Sequence, residues 1–179
     1  MAEAFINQVN RAVGIVTSSS NASIGIGLTW MSGISTAHVA INDLVDNANF
    51  IAGTKVTFVG VSSVQLDRAS TNTTAATASN VSFLGPTTSY SSASATKSIL
   101  IGGTFANNTA NSVNLTVSVY DNSTATESQI ASKIPVPTGS SFVISDAGKT
   151  VMEASDQLVV YSNTATAVDV TLSILTGVS

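Results

Sequence analysis

The chain has 179 residues, room for one comfortable domain or two small ones, and only 9% of them are charged, against about a quarter in ordinary soluble domains. Its six basic residues stand singly at Arg11, Lys55, Arg68, Lys97, Lys133 and Lys149, and the net charge is −4, so no basic stripe exists to displace counterions from nucleic acid. No run reaches the ~18 apolar residues of a membrane-spanning helix, and without cysteine the fold must hold by packing or assembly.

Ser, Thr, Asn and Ala take the place of charge, and strands tolerate Thr and Ser on their outer faces where helices use Glu, Lys and Gln. The composition therefore favours β structure. Met1 to Phe5 shows no basic segment leading into an apolar one, so no secretory signal is expected. From Glu3 to Ala12 alone, Phe5, Ile6, Val9 and Val13 fall at a spacing compatible with a short helix. The first strand is expected over Arg11–Thr17, broken by Ser18, Ser19, Ser20 and Asn21. Ser23 to Leu28 alternates apolar with small residues, Trp30 and Met31 follow, and Ala37 to Ile41 reads as a further strand start.

Gly53 and Thr54 turn the chain into Lys55–Val59, where Val56 and Phe58 should share one face, and Ser63–Asp67 should put Val64 and Leu66 together. The polar tract Ser70 to Ser79 reads as an exposed loop, Asn80–Leu84 as a strand, and Thr87 to Thr96 as a second low-complexity stretch. Ser98–Ile101 and Thr104–Ala106 flank Gly102 and Gly103. The clearest alternation is Ser112–Tyr120, with Val113, Leu115, Val117 and Val119 on one face and Asn114, Thr116 and Ser118 on the other. Ser128–Ile134 returns the chain, and Pro135 and Pro137 mark a loop. Ser141–Ile144, a turn at Asp146–Lys149, Thr150–Glu153, Gln157–Tyr161 and Ala167–Leu175 complete the pattern. Strands recurring at about 8–12 residues with turns between them predict an all-β chain, an antiparallel β-sandwich of jelly-roll or immunoglobulin-like type.

Catalytic, cofactor and metal sites are not expected. His38 is the only histidine, so neither a His-paired nucleophile nor a multi-His metal site can be built. Asp43 and Asp46 with Asn42, Asn47 and Asn49 form the densest oxygen cluster, but it lacks EF-hand spacing and the closing Glu, and reads as an Asx-rich turn. Asp67 and Arg68, adjacent on a strand, should point to opposite faces. Glu153 and Asp156 are too isolated for an acid/base pair, and Gly25 with Gly27 does not extend to a dinucleotide fingerprint. Trp30, Tyr90, Tyr120 and Tyr161 are candidate sugar-stacking aromatics, read here as core or interface residues because no two form an obvious platform.

The order of strands from Lys97 to Leu175 resembles a small β-sandwich module of virion proteins of marine phages, especially cyanophages. The resemblance rests on the segments 98–101, 107–109, 113–121, 134–141, 151–160 and 168–175. Gly33 to Leu84 looks like a different small β module of phage and adhesin-like chains, carried by 42–45, 53–56 and 64–69, with Asn42 where that pattern has Gly. Together they imply a discontinuous sandwich domain, residues 1–20 and 86–179, interrupted by a smaller inserted β domain, residues 21–85. They also imply a non-enzymatic virion protein, a capsid decoration or cement protein with neck, tail or fibre-attachment protein or a carbohydrate-binding fibre module as alternatives. Its partners would be other virion proteins, major capsid or neck and tail proteins, and further copies of itself. A particle released by lysis also reconciles an adhesin-like surface with the missing export signal.

Overall fold

The computed structural model describes residues 3–145 and 149–178, and every regular element among them is a strand. In chain order these are β1 (Ala4–Val13), β2 (Ile15–Ile24), β3 (Trp30–Ser32), β4 (Leu44–Asp46) and β5 (Val56–Val59). Then come β6 (Ser63–Leu66), β7 (Ala76–Gly85), β8 (Thr87–Ser91), β9 (Lys97–Asn107) and β10 (Val113–Asp121). The series ends with β11 (Thr126–Val136), β12 (Ser141–Ile144), β13 (Thr150–Met152), β14 (Gln157–Ser162) and β15 (Val168–Val178). The chain forms two compact units, one of Met1–Gly14 with Thr87–Ser179 and the other of Ile15–Pro86.

The larger unit is an antiparallel β-sandwich. One sheet runs β1-β15-β9-β12, with β13 also pairing β9, and the other runs β11-β10-β14-β8. Alternation along β10 and β15 sends Leu115, Val117, Val170 and Leu172 into a core shared with Phe105 and Leu158, all fully buried. Each such side chain contributes about 1.5–3 kcal/mol by leaving water. The opposite face of β10, which carries Asn114, Thr116 and Ser118, is also largely buried. Thr116 and Ser118 are 4% and 0% exposed, because Tyr161 on β14 donates a hydrogen bond to Glu127 Oε2 on β11 at 2.9 Å. β10 lies between those two strands, so the bond spans it and leaves room beneath only for small side chains.

The smaller unit is one six-stranded antiparallel sheet, β4-β7-β2-β3-β6-β5, curled around Ile24, Met31, Val56, Val64 and Phe83. Its two end strands meet at a single bridge, Leu44–Lys55, so the sheet curls without closing into a barrel. Ile15 and Gly85 are cross-strand partners, which brings the unit's two ends together.

Several expectations are corrected. Residues 4–13 form a strand, not a helix, because each successive position pairs along β15 from Ala4–Thr176 to Asn10–Val170. The strand expected over 11–17 is cut at Gly14, and its halves pair in different sheets: residues 11–13 lie in β1 and residues 15–17 in β2. The boundary expected after residue 20 thus lies at Gly14. Residues 18–21 do not break β2: Ser18 and Ser19 pair with Ser82 and Val81, and Ser20 and Asn21 form a bulge, with a register shift between Ser19 and Ala22 and Asn21 at φ 64°. Residues 37–42 make turns instead of a strand start, with His38 at φ 65°. The tract 70–79 is only partly loop, since β7 begins at Ala76, and 87–91 is strand β8. The turn expected at 146–149 falls largely outside the described residues.

Candidate functional site

The carboxylates of Asp43, Asp67 and Asp156 are occupied in holding turns. Asp43, 4% exposed, accepts the Ala40 N–H at 2.9 Å, and burial pushes its carboxyl above the ordinary carboxylate range, partly offset by that bond. In the same turn Asn47 accepts the Asn49 N–H at 2.8 Å and donates to Asn80 O at 2.7 Å, so the Asx-rich run ties itself to β7. Among the described residues no group of three or more His, Cys, Asp and Glu is placed to hold a metal. Asp156, 5% exposed, accepts the Glu153 N–H at 2.9 Å and the Asn122 N–H at 3.1 Å, joining two turns at one end of the sandwich. Glu153 pairs instead with Lys97 at 3.1 Å. Asp67 and Arg68, expected on opposite faces, come within 3.8 Å, because β6 ends at Leu66 and the chain bends. There Asp67 accepts the Lys55 N–H and Arg68 donates to Ala52 O. His38 is exposed, and its carbonyl accepts from Thr17 Oγ1. Gly27, at φ 63°, serves a turn after β2.

The aromatics divide. Tyr161 is buried, Tyr90 is half-buried with its hydroxyl 2.8 Å from Ser98 Oγ, and Tyr120 is half-buried. Trp30 differs: it stands 44% exposed, edge-on to Phe58, itself 49% exposed, with ring centroids 5.9 Å apart and planes at 62°. Both residues pair with Gln65 of the strand between them. The expectation that Val56 and Phe58 share one face is overturned. A register shift between them makes Thr57 the extra residue, so Val56 is fully buried while Phe58 turns to solvent.

A second surface belongs to the sandwich. On β15, Ile174, Leu172 and Val170 face the core, so Leu175, Ser173 and Thr171 face out, together with their partners. One outward row is apolar across four strands: Phe5 opposite Leu175, Leu175 opposite Ile99, and Ile99 opposite Val151. Its ends are 78% and 55% exposed and its middle is half-buried. Beside it lies a shallow hollow of about 300 Å³ at Gly102, lined among others by Ile101, Val143, Thr171 and Ser173. The hollow exists because Gly102 carries no side chain where β9 bulges against Ser173 and Ile174. Local periodicity marks each member of the row only as a strand residue. Its continuity depends on pairings between residues up to 170 positions apart, from Phe5 to Leu175. The chain matches no family profile, no curated protein and no solved structure.

Proposed function

We propose that the chain is a non-enzymatic structural component of a bacteriophage virion, a capsid decoration or cement protein that binds the assembled shell. The observation that carries this reading is the outward row Phe5–Leu175–Ile99–Val151 beside the Gly102 hollow. In a chain with only six basic and ten acidic residues, an apolar row of this kind suits burial against another protein. Each copy needs only a modest interface, since many symmetric copies on one shell hold collectively. The resemblance of 97–175 and 33–84 to phage modules supports the virion as its location and the major capsid protein as its partner, with neck and tail proteins next.

Sedimentation of the purified chain with expanded empty heads tests this. Saturable binding is expected, weakened at least tenfold by V151D, a substitution at an exposed position of the row. Binding to tails but not heads would move the chain to the neck or tail, and binding to neither would sink the reading.

A second reading, a carbohydrate-binding module of a fibre, is favoured by the Trp30–Phe58 pair with Gln65 between the two strands. Exposed aromatic faces stack on sugar rings and a side-chain amide can hydrogen-bond their hydroxyls. Trp30 is the only tryptophan, so its fluorescence reports on that face directly. A saturable emission change on titration with host surface polysaccharide, lost in F58A, is the expected signature; an unchanged spectrum removes this reading.

A further inference from the structure

β1 is the first strand of its sheet, and among the described residues nothing pairs with its other edge. An open edge of ten residues is a template for another strand. This one carries exposed apolar side chains, Phe5 at 78% and Val9 at 61%, where edges are usually blunted by charge or proline. What distinguishes it is the order of residues along it. Phe5, Asn7 and Val9 face outward opposite Leu175, Ser173 and Thr171; Glu3 immediately precedes the strand, and Arg11 follows the last regular pair, Asn10–Val170, where the register shifts before Val13. Read in either direction about Asn7, the set Glu3, Phe5, Asn7, Val9, Arg11 is complementary to itself.

We infer that β1 pairs antiparallel with β1 of a second copy of this chain, about a two-fold axis at Asn7, joining the two sandwiches through one continuous sheet. In that register Glu3 lies opposite Arg11 of the second copy at both ends, and Phe5 lies opposite Val9 at both. Ile6 meets Gln8 on the other face. Cross-strand pairs of opposite charge and of apolar groups stabilise a ladder, and like charges oppose it. Neighbouring registers lose both features. Moving the axis one residue toward the C-terminus sets Phe5 against Arg11, and one residue the other way sets Glu3 against Val9. Since a shift in pairing changes every contact, the charge pattern selects one register. Among the described residues neither Glu3 nor Arg11 has an ion-pair partner within the chain, so both charges remain for the second copy. The inference rests on the edge and its sequence, independently of any role in a particle.

Sedimentation equilibrium of the full chain tests it through a charge swap. The wild type should run as a dimer of the 18.1 kDa chain. E3R alone and R11E alone each place like charges opposite one another at both ends of the ladder, and each should raise the dimer dissociation constant about tenfold or more. The double variant E3R/R11E should restore it to near the wild-type value. An equimolar mixture of the two single variants should form a heterodimer, because their ends are then complementary. Both side chains are exposed, so circular dichroism should show all variants folded. A wild type that stays monomeric at millimolar concentration overturns the inference and leaves the edge to a strand from another protein. A dimer indifferent to the single swaps overturns it too, because the copies then meet elsewhere.

Discussion

Asp156 shows how a nearly charge-free chain uses the charge it has. Its two oxygens accept backbone N–H groups from turns 34 and three positions away, at Asn122 and Glu153, and its own carbonyl accepts from Ser92. D156A removes two charge-assisted bonds and leaves two N–H groups short of an acceptor, so the sandwich should lose about 2–4 kcal/mol, read from the midpoint of urea unfolding. Asp43 acts with the opposite sign. Its carboxyl sits above the ordinary value through burial, so its favourable contribution is complete below about pH 4 and is lost as pH rises through the folded-state value. D43N keeps an acceptor for Ala40 N–H while removing the buried charge. The variant should therefore match the wild type below pH 4 and exceed it in stability at pH 7, in paired unfolding curves at the two pH values. The variant-minus-wild-type difference is the quantity to follow, since Asp121, held below the ordinary range by Ser123 and Thr124, loses its own contribution on acidification.

At the scale of elements, Gly14 decides where one sheet ends and another begins. It adopts φ 132°, and a Cβ there would lie 2.5 Å from the Thr164 carbonyl oxygen. Its own carbonyl accepts the Thr166 N–H at 3.0 Å, anchoring the end of β1 to the loop before β15. G14A should destabilise the sandwich by about 2 kcal/mol or more through backbone strain and the clash, visible as a lowered thermal midpoint. Bulges act similarly elsewhere. The extra residue before Phe58 exchanges a core position for a surface one, and alternation counted along the sequence passes through it one residue out of step.

At the scale of the whole molecule, the smaller unit begins and ends on paired strands, Ile15 opposite Gly85, around a core of its own. Such an arrangement suits a domain inserted into a loop of another. Residues 15–86 expressed alone should give a dispersed amide spectrum and a cooperative unfolding transition. A collapsed, undispersed spectrum would mean that this core is insufficient by itself.

What the residues determine unaided is the class of fold. Low charge, abundant Thr and Ser, and period-two apolar positions in β10 and β15 suffice for an all-β sandwich, because burial of one strand face is a local pattern. Residues 4–13 remain ambiguous locally, since Phe5, Ile6, Val9 and Val13 fit a helix as readily as a strand until β15 supplies the partner. Tertiary structure alone decided the cut at Gly14, the cover that Tyr161 lays over Ser118, the outward turn of Phe58 and the row from Phe5 to Val151. Each depends on which distant strand lies alongside, and strand pairing is set by the combined burial of whole sheets and not by any one segment.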